Sequence, residues 1–254
     1  MKIEITHNSQ AVRDFFKTVV QRQMPFAMQQ TLNSLAFQIR EDTINEMRDE
    51  FDRPKPSFTL RSMEVEKATS KQAPEAWVGL RKKGGFRRAL AHELIGGSRA
   101  WKKAEGAFTK IGVLPEGMQM VPSRSMSLDS YGNIPLGLIR RLLKEPWREK
   151  IQHNRRVRFS TGSKEKGKNK GSGYFVVHPG DRTKLTPGIW FRDKINGLEP
   201  IIMFVRKGKY KRAIDLADIA EETLKRDGKR LMSESLMKAI ASDRRLMQAA
   251  KSSM

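Results

Sequence analysis

The sequence predicts an α+β fold with N-terminal helices, an antiparallel sheet that carries a long loop-rich insertion, and C-terminal helices. Helical periodicity at both ends of the chain and short extended segments between them indicate this class. The 254 residues suffice for one large domain or two small ones, and a hydrophobic content of 38% allows a core. Because 31% of the residues are charged, we expect that core to be modest or completed by neighbouring subunits.

The first 52 residues have the pattern of two helices. A first helix over 9–24 has Ser9 as its cap, and Pro25 suits the first turn of a second. The second helix ends before the Arg-Pro-Lys-Pro run at 53–56, because each proline removes an N–H donor. Its apolar residues recur at three- and four-residue spacings: Met28, Leu32, Leu35, Ile39, Met47 and Phe51. That stripe is typical of either a core face or a subunit contact, and its first four members are the candidates for the contact.

The middle of the chain has the pattern of short strands. Predicted extended segments cover 58–65, 75–80, 157–160, 174–177, 188–192 and 201–205. Between the second and third of them lies the insertion, about 84–150, with short helical pieces near 92–95 and 136–143 and turns marked by proline and glycine. We therefore expect the sheet to be antiparallel and interrupted by this insertion.

The C-terminal part has helical periodicity again. An amphipathic helix is predicted over 213–226, and a second helical stretch from Ser233 to about residue 249. The predicted organisation is a single α+β domain over 1–226 followed by a helical arm at 227–254. That arm is interpreted either as an element that binds a neighbour or as an ordinary packed helix.

Positive charge is concentrated in one quarter of the sequence. Residues 150–212 hold 17 Lys and Arg against four Asp and Glu, an excess of +13 out of a net +22 for the chain. Such a surface attracts a polyanion or an acidic protein, and nucleic acid is the first partner to consider. Seven side chains are the candidates for neutralising phosphates or docking on an acidic partner: Arg155, Arg156, Arg158, Lys164, Lys166, Lys168 and Lys170. The alternative interpretation is a solvated basic loop.

The most specific chemical motif in this region is an incomplete phosphate-binding loop. Residues 162–168 match Gly-x-x-x-x-Gly-Lys, but Asn169 occupies the position that needs Ser or Thr to reach magnesium. A phosphate-binding loop also leads into a helix, whereas here the strand-like segment 174–177 follows. The pattern therefore favours a Lys/Gly-rich hairpin loop.

No catalytic constellation is apparent in the sequence. His92 and Glu93 begin like a zinc-protease helix, yet Gly96 stands where the second histidine is required. The chain has no cysteine, so a disulfide framework, thiolate metal site or cysteine nucleophile is excluded. Asp181 and Asp193 are the candidates for a metal-dependent nuclease, although phosphodiester chemistry usually needs several convergent carboxylates. We expect a non-enzymatic protein without a metal or cofactor.

Membrane insertion is not expected from the sequence. It contains no apolar run near the roughly 20 residues that a membrane-spanning helix requires, and its beginning lacks the apolar stretch of a signal peptide. The protein is therefore predicted to be soluble and intracellular when made.

Several runs of residues resemble a known family. They are His92-Glu-Leu-Ile-Gly-Gly-Ser-Arg-Ala-Trp-Lys-Lys-Ala-Glu105, Gly112-Val-Leu-Pro-Glu-Gly-Met118, Leu128-Asp-Ser-Tyr-Gly-Asn133, Gly188-Ile-Trp-Phe-Arg192 and Pro200-Ile-Ile-Met-Phe-Val205. Their succession is similar to the minor tail protein Z, or tail-completion, family of tailed phages and prophages. The opening Ala27-Met-Gln-Gln-Thr-Leu-Asn33 also resembles the Ala-x-x-x-x-Leu-Asn helix of such proteins. The likeness covers about 20–226, and its motifs are structural rather than catalytic.

The resemblance implies an assembly role. It implies a small α+β subunit that joins a ring at the head–tail junction (neck), completes the tail and connects it to the portal and its adaptor. The expected location is the virion, after synthesis in the host cytoplasm, with other copies, tail proteins and genomic DNA in the channel as partners. The alternative is an accessory protein that binds DNA without sequence preference through the basic region 150–212.

Overall fold

The computed structural model describes residues 9–145, 147–152, 155–160, 173–193 and 195–242. The chain forms two compact units. The first, here called the helical unit, comprises Met1–Glu50, Pro56–Phe86 and Ile214–Met254. The second, here called the sheet unit, comprises Phe51–Lys55 and Arg87–Ala213. Helices and two antiparallel sheets make up the structure, which confirms the predicted α+β class.

The helical unit begins with one unbroken helical rod rather than two separate helices. Helix α1 (Ser9–Thr18) runs into a π-helical turn (Val19–Gln23) and then into α2 (Met24–Glu50). The N–H of Met24 donates to the carbonyl of Val19, five residues back. Pro25 has no N–H to donate, so the helical ladder loses a bond at this point, and the π-helical turn lies directly before it. The predicted break at Pro25 was wrong, whereas the predicted end before 53–56 is confirmed.

Helix α6 (Leu216–Ser242) packs against α2 as the second long element of this unit. It is continuous, so the prediction of two helical stretches with an interruption at 227–232 was wrong. Gly228 lies within that interval and is buried inside the helix, where an added Cβ would lie 2.9 Å from Leu224 Cδ1. Arg230 bonds to Asp227 and Glu234 on the neighbouring turns and supports the helix there. The boundary predicted at residue 226 thus falls within a helix.

The stripe predicted on α2 is divided between core and surface. Leu35 is 6% exposed and Met47 is fully buried, together with Ala27 and Ile44. Leu32 and Ile39 are half-buried, and Met28 is 44% exposed. Of the four candidate subunit-contact residues, Leu35 therefore belongs to the core of the helical unit and Met28 lies at its surface.

A hairpin of β1 (Met63–Glu66) and β2 (Trp77–Leu80) completes the helical unit. The predicted strand at 58–65 was wrong in its first half, because 56–61 form turns closed by a bond from Ser62 N–H to the carbonyl of Thr59. The side chain of Asn33 accepts from the Ala68 N–H at 2.7 Å and donates to its carbonyl at 3.3 Å. Asn33 of the Leu-Asn pair thus fixes the chain that leaves β1.

The sheet unit contains one six-stranded antiparallel sheet. Its strands follow the order β3 (Met118–Pro122), β8 (Gly197–Arg206), β7 (Gly188–Asp193), β6 (Gly173–Val177), β5 (Arg155–Ser160) and β4 (Trp147–Gln152). Helices α3 (Phe86–Ile95), α4 (Lys103–Lys110) and α5 (Leu136–Lys144) precede or interrupt these strands. Both edge strands, β3 and β4, come from the predicted insertion, which was expected to contain only turns and helical pieces.

The core of the sheet unit lies between the sheet and the helices α4 and α5. Phe108 of α4 and Leu142 of α5 are fully buried against Val176, Ile189 and Ile202 of the three central strands. The opposite face carries a smaller cluster formed by Phe175, Val177 and Trp190 with Leu185 and Met203. Alternation along β6 and β7 thus buries side chains on both faces.

Candidate nucleic-acid interface

Charge is distributed very unequally between the two units. The sheet unit holds 30 Lys and Arg against 11 Asp and Glu, a net charge of +19, whereas the helical unit has 20 against 17, a net +3. The excess of positive charge predicted for 150–212 is therefore part of a unit that is basic as a whole. A polyanion is attracted far more strongly to the sheet unit than to the helical unit.

Three of the predicted basic residues lie on β5, next to the edge of the sheet. Arg158 pairs with Val176 on one side and with Glu149 of the edge strand β4 on the other. Arg155 and Arg156 pair with Gln152 and Ile151 of the same edge strand. Lys164, Lys166, Lys168 and Lys170 lie outside the described residues.

A second basic stretch, at 206–212, begins at the last residue of β8 and ends before the start of α6 in the sequence. We call it the basic segment; it has the sequence Arg-Lys-Gly-Lys-Tyr-Lys-Arg, and all seven residues are exposed. Lys207, Lys209 and Lys211 form no ion pair with any part of the chain that the structure describes. Sequence reasoning counted these residues in the 150–212 excess but did not single them out. Five basic residues within seven were the signal that could have identified them.

The basic segment is held in place by main-chain bonds to the loop after α3. Tyr210 donates to the carbonyl of Gly97 at 2.7 Å and accepts from the Gly97 N–H at 3.0 Å. Ala213 N–H donates to the carbonyl of Glu93 at 2.8 Å. Gly96 and Gly97 have φ of 74° and 92°, a conformation that glycine adopts without strain and that places the loop against the segment.

Side chains add to this attachment. The rings of His92 and Tyr210 meet edge to face, with centroids 5.1 Å apart. His92 Nε2 lies 2.9 Å from Glu93 Oε1. The Arg99 guanidinium also interacts with the Tyr210 side chain. The run 92–99, which carries the family resemblance, therefore supports the basic segment.

Arg99 also belongs to a buried ion pair that we call the clamp. Glu105 is completely buried, and its carboxylate accepts from both terminal nitrogens of Arg99. It also accepts from the N–H of Lys102 at 2.6 Å and from that of Met120 at 2.8 Å. The clamp thus joins the start of α4 to the edge strand β3. Each hydrogen bond that the Glu105 carboxylate accepts is charge-assisted.

The hydrogen bonds at the clamp decide the ionisation of Glu105. Burial alone raises the pKa of a carboxyl group, but the bonds from Arg99, Lys102 and Met120 outweigh it and hold the pKa of Glu105 below its usual value. The carboxylate also raises the pKa of Arg99. The pair is therefore ionised at neutral pH, and its partners are all internal, which indicates a structural role.

The two candidate nuclease carboxylates are not brought together. Asp181 follows the end of β6 and accepts from the His178 N–H at 2.7 Å. Asp193 ends β7 and accepts from the side chain of Asn196 at 2.7 Å. The end of β6 pairs with Gly188 at the start of β7, whereas Asp193 lies at the other end of β7. Each carboxylate stabilises its own turn.

The histidines and a small cavity are the remaining candidates for a functional site. His92 and His178 lie in the described part of the chain, and His7 and His153 lie outside it. Across the described residues, no group of three or more His, Asp or Glu side chains is placed to hold a metal ion. A cavity of about 150 Å³ beside the clamp is smaller than the usual ligand pocket of roughly 300–1,000 Å³.

A larger groove in the helical unit has its polar side chains already engaged. It has a volume of about 520 Å³ and lies between α2 and the chain at 67–69. The side chains of Gln29 and Asn33 in this groove bond to the main chain of Ala68. Lys67 lies 5.1 Å from the centre of the Phe37 ring. The contacts of these side chains are internal and stabilise the helical unit.

Comparisons with known proteins identify no relative. No family model matches the chain, and no curated protein or solved structure matches it. The resemblance to tail-completion proteins therefore stays a prediction. Among the described residues, no helix is both long and apolar enough to cross a membrane.

Proposed function

We propose that this chain is a non-enzymatic structural subunit of the head–tail junction of a tailed phage. In this role it forms a ring with other copies, completes the tail, and joins it to the portal and its adaptor. The resemblance to tail-completion proteins at 92–105 and at Gly188 supports the proposal, because residues of these runs stabilise the fold. Arg99 and Glu105 form the clamp, and Gly188 lies against the Ile202 carbonyl with no room for a side chain.

The observation that carries the proposal is the separation of charge between the two units. A subunit with net charges of +19 and +3 on its two parts can place one part against DNA or an acidic partner. The nearly neutral part is then suited to contacts with other copies, since those contacts avoid like-charge repulsion.

Exposed apolar side chains on the helical unit support such contacts between copies. Phe16 is 61% exposed, Val20 58%, Leu224 55% and Met237 64%, and Met28 is exposed as well. These residues lie on α1, the π-helical turn, α2 and α6. Burial of side chains of this kind between identical subunits gives about 25 cal/mol per Å² of apolar surface, and a head-to-tail contact that closes gives a ring.

The proposal is tested with a phage in which the reading frame for this chain is interrupted. We expect DNA-filled heads and separate tails in negatively stained lysates, and joined particles when the intact chain is supplied in trans. A Phe16→Asp/Val20→Asp variant should fold but fail to restore joining. A matched variant, Gln21→Asp, whose site is already polar and exposed, should restore it. Infectious particles of normal shape without the chain would contradict the proposal.

The second candidate is a DNA-binding accessory protein that acts as a monomer without sequence preference. The exposed basic segment favours it, because its lysines have no ion-pair partner among the described residues. The two candidates differ in where the chain is found. An accessory protein is present in infected cells and missing from purified virions.

A further inference from the structure

We infer that the basic segment, 206–212, is a fixed binding site for the phosphate backbone of duplex nucleic acid. This inference deepens the DNA-facing role proposed above and rests on it. The site was not among the predicted phosphate-binding residues, which lie on β5 and in 161–170. It is also the basic stretch that the structure describes in full, main chain and side chains.

No described carboxylate neutralises the three lysines of the basic segment. Lys207, Lys209 and Lys211 are exposed and form no ion pair with described residues. The two carboxylates of the run 92–105 that supports the segment have other partners: Glu93 pairs with His92, and Glu105 is enclosed by the clamp. A partner with negative charge would therefore meet these ammonium groups without displacing an internal one.

The backbone of the basic segment is attached to the sheet unit at several points. Two main-chain bonds to Gly97, one to Glu93 and the His92 contact fix Tyr210 and Ala213. The basic side chains project from a backbone that is ordered before any partner binds. Binding then loses less conformational entropy than it would with an unattached tail.

The composition of the basic segment favours nucleic acid over an acidic protein as its partner. Protein interfaces are depleted of lysine and have an apolar centre, whereas the segment is lysine-rich and has Tyr210 as its one apolar side chain. Lysine and arginine with a nearby aromatic ring are typical of contacts to phosphates and sugars. Such contacts carry affinity without sequence preference. We therefore expect binding to any duplex.

Counterion release gives the expected magnitude. Five phosphate contacts predict a slope of about −4.5 for the logarithm of affinity against the logarithm of salt concentration. Affinity would then fall about 500-fold between 50 and 200 mM salt. Replacing three lysines by glutamine should make the slope shallower by about 2.7.

The test is fluorescence anisotropy of the full chain with two labelled 20-base-pair duplexes of unrelated sequence. We compare Lys207→Gln/Lys209→Gln/Lys211→Gln with a control of equal charge, Lys103→Gln/Lys110→Gln/Lys144→Gln. The control lysines are exposed, belong to the same unit and form no ion pair with described residues. A third variant replaces the four lysines at 164, 166, 168 and 170.

The expected result is that the segment variant binds both duplexes at least about tenfold more weakly at 100 mM salt and has the shallower slope. The control should change the slope by less than about one. Equal losses in segment and control variants would overturn the inference, because net charge alone would then explain binding. Normal binding by the segment variant with loss in the third variant would also overturn it, while leaving the DNA-facing role intact.

A further arm separates the two kinds of partner. If the chain binds poly-glutamate through the three segment lysines and binds neither duplex, the segment is a site for an acidic protein and the inference fails. If the chain binds neither polyanion, the inference and the DNA-facing role both fail. The ring role is then judged from the phage particles alone.

Discussion

Replacing Glu105 by alanine should destabilise the sheet unit severely. The change leaves the Arg99 guanidinium in a site where the residue is only 9% exposed, and it removes the acceptor for the N–H groups of Lys102 and Met120. Breaking a buried ion pair by removing one partner costs about 3–5 kcal/mol. An unsatisfied buried donor costs about 1–3 kcal/mol. Because these effects overlap, we expect a loss of about 4 kcal/mol in the free energy of unfolding.

Urea unfolding followed by tryptophan fluorescence measures this loss. Three of the four tryptophans, Trp101, Trp147 and Trp190, belong to the sheet unit, so their emission reports mainly on it. With a slope of about 2 kcal/mol per M urea, the midpoint should fall by about 2 M. Far-UV circular dichroism at zero urea shows whether the variant begins folded.

Two further variants test whether loss of the clamp explains the loss of stability. Glu116→Ala removes an exposed glutamate of the same unit and should change stability by less than about 0.5 kcal/mol. The double variant Arg99→Met/Glu105→Leu removes both charges and should be more stable than Glu105→Ala alone, because no buried charge is left unpaired. A loss below about 1 kcal/mol for Glu105→Ala would show that the clamp does not hold β3 and α4 together.

Three other predictions concern both units. Gly188→Ala should destabilise the sheet unit by about 1–3 kcal/mol in urea unfolding, because an added Cβ would collide with the Ile202 carbonyl; unchanged stability would contradict the packing of β7 on β8. Asn33→Ala should lower the stability of the helical unit by about 1–3 kcal/mol, because the buried Ala68 N–H loses its acceptor; hydrogen exchange at Ala68 as slow as in the wild type would refute this. Burial raises the pKa of Asp42, but bonds from Thr223, Arg226 and Gln38 hold that pKa below its usual value. The ionised Asp42 therefore stabilises the folded helical unit. This stabilisation is present above the unfolded-state pKa near 3.9 and is lost as pH falls through the lower folded-state pKa. Thermal unfolding between pH 5 and 2 should show this loss, and Asp42→Asn should reduce it; identical pH profiles would count against the assignment.

Periodicity was a good guide wherever one face of an element is buried. The stripe on α2 predicted its length, and the segments at 174–177, 188–192 and 201–205 match β6, β7 and the second half of β8. Their branched and aromatic residues alternate into the two buried faces of the sheet. For these elements local composition and tertiary environment agree.

The elements that were missed lack such agreement. Strand β3 has the sequence Met-Gln-Met-Val-Pro, in which methionine and proline give little strand signal, and β4 is rich in charged residues. Both are edge strands, where charged residues and proline are common. The interruption predicted at 227–232 is absent because packing on α2 keeps α6 helical there.

The positive charge of the candidate site could be predicted from the sequence, but the arrangement of its residues could not. The excess of basic residues was evident, yet the position of Arg155, Arg156 and Arg158 on a strand next to the sheet edge appears only once β5 has a register. The attachment of the basic segment to Gly97 joins positions more than 100 residues apart, a pairing that no local pattern reveals. The bond from Met120 N–H to Glu105, between residues 15 apart, is likewise not evident from a local pattern.

Cryo-electron microscopy of purified virions tests the central claim most directly. The account predicts a symmetric ring of density at the head–tail junction that fits this chain, with the basic segment facing the DNA channel or an acidic neighbour. Complete, infectious particles in which no density at the junction fits the chain would contradict the structural role and favour the DNA-binding accessory protein.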